Sequence, residues 1–186
     1  MMAGPIHDQI VAAAVRWLRR NGAAAILCDP FKANITEQPD AIGWLESASV
    51  AIEAKASRSD FLADAKKPHR ADPSRAVGDW RFYAAPPGII AVDELTAGWG
   101  LLEWNGSCLK PVHGVPLGNC NWYHAPFREI SNKRAETRLL VSAIHRPEFV
   151  PRRGAKLRPG INFDSWAKLA DQQADQQAKP AGGEVA

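Results

Sequence analysis

Glu53 and Lys55 stand two residues apart inside the run SVAIEAKA (49–56). The run is otherwise apolar and reads as a buried strand, and residues i and i+2 of a strand face the same side. Burying an unpaired charge costs several kcal/mol, so an acid and a base in a core strand need compensation. Two arrangements supply it. One is a Glu–Lys ion pair at a sheet edge. The other is a cation site in which Glu53 binds a metal and Lys55 faces an anionic substrate or an attacking water. Asp40 favours the second. It opens the preceding apolar run DAIGWL (40–45), directly after Pro39. The short link between the runs suits a tight turn, which predicts a hairpin. Positions whose numbers sum to about 93 then face each other, so Asp40 lies opposite Glu53. Facing carboxylates repel unless a cation joins them. Mg²⁺ is commonly held by one or two carboxylates, with waters and substrate phosphate completing its shell.

The surrounding elements must position these residues. Ile6, Ile10, Ala14, Trp17 and Leu18 recur at helical spacing, with Pro5 at the start and Gly22 at the stop, which predicts a helix over 5–21. AAAILC (23–28) predicts a strand and DPFKANITEQP a loop. After the hairpin, Ser57 and Asp60 form a helix-capping pattern, Phe61 and Ala65 face inward, and Pro68 ends the helix. WRFYAA (80–85) and GIIAVD (88–93) read as strands, and GWGLLEWNGSCLKPV as a hairpin turning at Asn105-Gly106. NKRAETRLLVSAIH (132–145) predicts an amphipathic helix capped by Ser131. The order is helix, three strands, helix, strands, helix: a mixed α/β domain with a mixed sheet. This domain is expected to span 1–150. Residues 151–186 read as a basic arm rich in Pro, Gly and Arg, followed by a polar tail without enough apolar residues to fold.

A chain of 186 residues with 46% hydrophobic and 23% charged residues suits one soluble domain. The net charge of +3 is small, but it is unevenly spread. Residues 125–160 carry nine Lys or Arg against Glu129, Glu136 and Glu148, so this segment is +6 and the remainder −3. A basic lobe beside an acidic patch suits a polyanion partner with a metal held by the acids, and a solvated basic surface is the plainer alternative. The opening MMAGPIHDQI is not the pattern of a secretory signal. No apolar run reaches the ~18 residues of a membrane span. Three scattered cysteines argue for reduced thiols. Together these predict a cytoplasmic protein without a membrane partner.

Pro39-Asp40 followed by Glu53-Ala54-Lys55 resembles the PD-(D/E)xK nuclease superfamily. The stretch EAKASRSDFLADAKK, followed by WRFYAAPPGIIAVDE and GWGLLEWNG, is similar to its MmcB-like branch and related phage-encoded proteins. The likeness covers about residues 35–105. It departs at Lys67-Pro68-His69-Arg70, and the carboxyl-terminal third matches no family. The resemblance implies a restriction-endonuclease-like domain, a mixed central sheet flanked by helices in αβββαβ order. It also implies a Mg²⁺- or Mn²⁺-dependent nuclease acting on DNA, in phage or bacterial DNA processing or repair. Asp40 and Glu53 would be metal ligands, with the backbone carbonyl of Ala54 as a third. Lys55 would orient or activate the water and stabilise charge on the phosphate. Asp8 or Glu37 could supply a further acid. A non-catalytic nucleic-acid-binding module on the same fold is the alternative, and a homodimer is compatible with either.

Ser57 and Arg58 follow the active strand and could contact phosphate at the helix start, although Ser57 serves equally as a cap. Lys66 and Arg70 are further candidates for nucleic-acid contact, as are Arg152 and Arg153 in the arm; for Arg70 a solvated loop is the alternative. Asp60 and Asp64 match the family's helix but read as solvent-exposed. Cys108, His113, Cys120 and His124 have the chemistry of a zinc set without its tight knuckle spacing. Trp99 and Trp122 lie near loops, where core packing competes with base stacking. No phosphate-binding P-loop or serine-hydrolase elbow is present.

Overall fold

A computed structural model describes residues 4–151, apart from 30, 65, 68, 69, 71, 117–120 and 145–149. The expectations for Ala65, Pro68, Cys120, Arg152, Arg153 and the rest of the arm and tail lie outside the described residues. Helix α1 (Pro5–Arg20) starts on Pro5, and Gly22 follows its end at φ 94°. Its Ile10, Ala14, Trp17 and Leu18 form the buried stripe. Strands β1 (Ala25–Cys28), β2 (Ala41–Trp44) and β3 (Ser49–Ala54) follow, then helix α2 (Arg58–Asp64). Next come β4 (Trp80–Ala85), β5 (Trp99–Trp104), β6 (Leu109–His113), helix α3 (Lys133–Ile144) and the two-residue β7 (Val150–Pro151).

The sheet runs β6-β5-β4-β3-β2-β1, with β7 beyond β1. β3, β4 and β5 are parallel, whereas β1–β2, β2–β3 and β5–β6 are antiparallel. The protein is therefore α/β with a mixed sheet flanked by helices. Alternation along the strands sorts side chains between two faces. Val50, Ile52 and Ala54 of β3, with Trp80, Phe82 and Ala84 of β4, share a core with α1. Gly43 lets this helix sit close, since a Cβ there would lie 3.0 Å from both Ala23 and Leu18. Trp17, Trp80, Phe82 and Trp122 interlock in this layer at centroid distances of 5.5–6.5 Å. On the opposite face Tyr83, Trp99 and Leu101 pack with Phe61 of α2, while Leu27 and Ile42 pack with Leu139 and Ala143 of α3. Trp99 and Trp122 are thus both core residues.

Two expectations are corrected. GIIAVD is not a strand: Gly88 turns the chain at φ 77°, Ile90 is buried among Phe61, Tyr83 and Trp99, and Val92–Glu94 forms a 3₁₀ turn. The Glu94 carboxylate accepts the Ala91 N–H at 3.0 Å and closes that turn, so Ile90 is buried and Ile89 half-buried from a loop without a ladder. The cap of α3 is Asn132, whose Oδ1 accepts from Ala135 N at 3.0 Å. Ser131 instead donates to Asp79 at 2.8 Å.

Candidate active site

The register Ala41↔Ile52 continues one step to set Asp40 opposite Glu53, as the turn length requires. Both residues fall on the α2/α3 face at the carboxyl-terminal end of β3. Asp40 Oδ2 accepts the Ala54 N–H at 2.8 Å, which ties the start of β2 to the end of β3. Lys55 lies just past β3, yet its N–H still donates to Ala84 O at 2.8 Å and holds it in line with the sheet. The Lys55 Nζ sits 3.3 Å from Glu53 Oε2 and 3.2 Å from Asp64 Oδ1. Asp64 reaches this point because Phe61, three residues earlier, packs inward, and positions i and i+3 share a helix face.

Arg70 completes the cluster. Its Nε donates to Asp64 Oδ2 and its Nη1 to Glu37 Oε1, both at 2.7 Å, and Nη2 lies 3.3 Å from Glu53 Oε1. The guanidinium lies over the Trp99 ring at 4.4 Å, and Trp99 stacks on Tyr83 at 4.5 Å. Tyr83, the β4 residue paired with Glu53, donates its hydroxyl to Asp64 Oδ2 at 3.0 Å. Glu53, Lys55, Asp64 and Arg70 are each no more than 6% exposed. Four carboxylates, Glu37, Asp40, Glu53 and Asp64, therefore share two buried cations, with the half-exposed Lys67 adding a third at Asp64, 2.6 Å away.

The electrostatics follow from that imbalance. Burial pushes the Glu53 carboxyl up and Asp40 pushes it further, against the pull of Lys55 and Arg70. Burial opposes ionisation of Asp40 too, but His7, Lys55 and the Ala54 N–H hold it below its ordinary value. Glu37 is raised to about 7, chiefly by burial, with Arg70 pulling the other way. Burial works against the Lys55 ammonium, yet Glu53, Asp64 and Asp40 outweigh it and hold the pKa above the usual lysine value. Arg70 likewise rises despite burial, through Glu53, Asp64 and Glu37. Asp64 falls despite burial, through Arg70 and Lys55. Lys55 is therefore an ammonium at neutral pH, a donor and not a proton acceptor.

Among the remaining sequence candidates, Glu37 joins the site and Asp8 does not. Asp8 projects from α1 with its side chain 68% exposed. The α1 residue that reaches the site is His7, with Nε2 3.4 Å from Asp40 Oδ2. Its pKa is raised, first by the hydrogen bond with Asp40 and against the effect of burial. Ser57 accepts the Asp60 N–H at 3.2 Å, which is the capping role. Arg58 pairs with Glu94 and donates to Ile89 O at 3.0 Å. Lys66 is exposed. Arg70, a candidate for nucleic-acid contact with a solvated loop as the alternative, is instead buried with its guanidinium engaged by three acids, and Asp64, read as solvent-exposed, is buried with it. His7 and Tyr83 were missed by sequence reasoning. Tyr83 had a usable signal, since parallel pairing of β3 with β4 sets it beside Glu53.

The donor set fits a small hard cation. Asp40 and Glu53 offer oxygens from adjacent strands, and a divalent ion would relieve the repulsion by Asp40 that adds to burial in raising Glu53. Among the described residues no three His, Cys, Asp or Glu side chains form a ready metal cage. A pair of carboxylates with water filling the shell suits Mg²⁺ or Mn²⁺ better than zinc. Of the possible zinc set, His113 and His124 are exposed and Cys108 half-buried. Among the described residues no helix is long and apolar enough to cross a membrane.

No family model matches the chain, and no curated protein matches it. A solved structure that it resembles is the SPO1766 protein of unknown function from Silicibacter pomeroyi, 18% identical over 99% of each chain, with a TM-score of 0.48.

Proposed function

We propose that the chain is a metal-dependent nuclease that hydrolyses phosphodiester bonds in DNA, built on a restriction-endonuclease-like fold and acting in phage or bacterial DNA processing or repair. The observation that carries this reading is the facing pair Asp40 and Glu53 with the Lys55 ammonium 3.3 Å from Glu53, all at one end of one strand pair. Asp40 and Glu53 would hold Mg²⁺ or Mn²⁺. When bound, that ion would polarise the phosphoryl oxygen and acidify the attacking water. Lys55, kept charged by its carboxylates, orients the water and donates to the phosphate oxygens as negative charge builds on them. Asp64 and Arg70 hold Lys55 and Glu53 in place, and the Trp99 and Tyr83 rings back the guanidinium. His7 orients Asp40 from α1.

The test is cleavage of supercoiled plasmid and of single-stranded DNA with Mg²⁺, Mn²⁺ or EDTA, for wild type, Glu53→Gln and Lys55→Ala. Cutting that needs the metal and both side chains supports the reading. Cutting in EDTA, or retained by either variant, overturns the site assignment. Tight DNA binding without cutting would support a non-catalytic nucleic-acid-binding module on the same fold.

A further inference from the structure

The loop from Phe31 to Gln38 separates two different environments. Its Glu37 points into the carboxylate cluster and pairs with Arg70. Its Asn34, Ile35 and Thr36 face α3 and form one wall of a groove. Two adjoining depressions of about 320 and 230 Å³ make up this groove, and Arg138 lines both. The loop is braced across its own width. The Gln38 side-chain carbonyl accepts the Ala33 N–H at 2.8 Å, and its amide donates to Phe31 O. Phe31 is anchored in the core against Leu139 and Ala143 of α3, with Ile35 and Ala135 packed beside it. The groove is thus held open by the core beneath it.

Its chemistry is one-sided. Arg134 and Arg138, one helical turn apart on α3, are exposed and line it, together with Thr36, Thr137 and Ser142. No Asp or Glu lines either depression. Glu136, the acid of the same helix turn, is buried on the other side and engaged by Lys133, Ser49 and Gly78. Neither arginine has a carboxylate partner among the described residues. Thr137 donates its hydroxyl proton to Lys133 O at 2.9 Å, which leaves Thr36 and Ser142 as the hydroxyl donors of the groove. Two guanidiniums spaced along a helix, with hydroxyl donors at the walls, match successive backbone phosphates.

We propose that the groove between α3 and residues 34–36 binds the phosphate backbone of DNA and leads it past Glu37 to the Asp40–Glu53 pair. The proposal rests on the nuclease reading for the identity of the polyanion. Arg134 and Arg138 each hold a phosphate, and the hydroxyls of Thr36 and Ser142 add donors at the walls.

The full chain is titrated against labelled duplex and single-stranded DNA in EDTA, by fluorescence anisotropy, between about 50 and 200 mM salt. Wild type is compared with Arg134→Gln/Arg138→Gln and with Arg19→Gln/Arg20→Gln, which removes the same charge from exposed positions on α1. The groove pair is expected to bind roughly 10- to 100-fold more weakly, with a log–log salt slope shallower by about 1 to 2, while the α1 pair stays near wild type. Ser142→Lys is expected to tighten binding several-fold. Equal losses in both arginine pairs, or no loss in the groove pair, overturn the groove. Wild type that binds no DNA overturns the groove and the DNA substrate together. Groove-dependent binding without plasmid cutting supports the groove and removes the nuclease reading. Cutting abolished by Glu53→Gln with binding unaffected by the groove pair does the reverse.

Discussion

The strand pair β3–β4 carries a buried charged network at each end of the same sheet face, and the two are built differently. At the amino-terminal end Asp79 accepts from Ser49 N at 2.9 Å and from Ser131 Oγ at 2.8 Å, and pairs with Lys133 at 2.6 Å. Beside it Glu136 accepts from Ser49 Oγ, Gly78 N, Lys133 and the Trp44 indole. Each carboxylate there meets several donors, and Lys133 bridges both. At the carboxyl-terminal end two carboxylates, Asp40 and Glu53, face each other across the strand pair. The shifts single out two carboxylates, because at the carboxyl-terminal end Asp40 and Asp64 lie below their ordinary values while Glu53 and Glu37 lie above theirs. Asp79 lies below its ordinary pKa, because Lys133, Ser49 N–H and Ser131 outweigh burial, whereas Glu53 lies above its own. A carboxylate whose surroundings favour its charge holds the fold together. Glu53 and Glu37, held against their charge, fit the reading proposed above of a site that takes a cation.

The sharpest way to break this contrast is activity. Glu53→Gln should lower plasmid cleavage by about three decades or more, on the order of 4 kcal/mol in the barrier, while Asp79→Asn should leave a folded sample cutting near the wild-type rate. Similar losses from both would erase the distinction. Stability should invert the order. Asp79→Asn removes a carboxylate that its surroundings favour and should cost about 2 to 4 kcal/mol in urea unfolding at pH 7. Glu53→Gln mimics the protonated form that burial already prefers and should stay within about 1 kcal/mol of wild type.

Glu37 gives a pH test. Its folded-state pKa of about 7 lies above the ordinary 4.5, so the folded protein holds this proton where the unfolded chain has lost it. Its contribution is fully present below about pH 4.5 and disappears as pH rises through 7, a change of about 3 kcal/mol. Asp79 has the opposite sign: its stabilisation is present above the ordinary carboxylate range and is lost as pH falls through its lowered value. The wild-type minus Glu37→Gln difference in unfolding free energy should therefore fall between pH 4.5 and 7, and a flat difference would refute the assignment. The smallest effect belongs to neither network. Ser57→Ala removes the α2 cap and should cost about 1 kcal/mol, read as a small Tm decrease.

Much of this arrangement was legible in the chain. The turn after DAIGWL fixed the hairpin register, and with it the meeting of Asp40 and Glu53, because a short link allows few pairings. Phe61 facing inward already implied that Asp64 would follow it, yet its charge suggested solvent. The pattern showed the face but not the cation that would receive the acid. Arg70 was illegible for a related reason, since its three acids come from a loop, a strand and a helix that meet only in the folded sheet. His7 sits in the first turn of a helix whose stripe predicts packing, and nothing local reveals that its end reaches Asp40. GIIAVD failed because a short apolar run does not distinguish burial in a ladder from burial beneath a loop.

The hairpin register also bears on the order in which the molecule assembles. β2 and β3 are joined through residues 45–48 alone, so their pairing is local and fast, while β3 meets β4 only after residues 55–79 have closed a long loop. Asp40 and Glu53 therefore meet early. Arg70 lies within the long connection, and Asp64 lacks its Tyr83 hydroxyl partner until β4 arrives. A folding nucleus that includes this hairpin carries two opposed negative charges before most of its counter-charges are in place, and the cost falls on the forward rate.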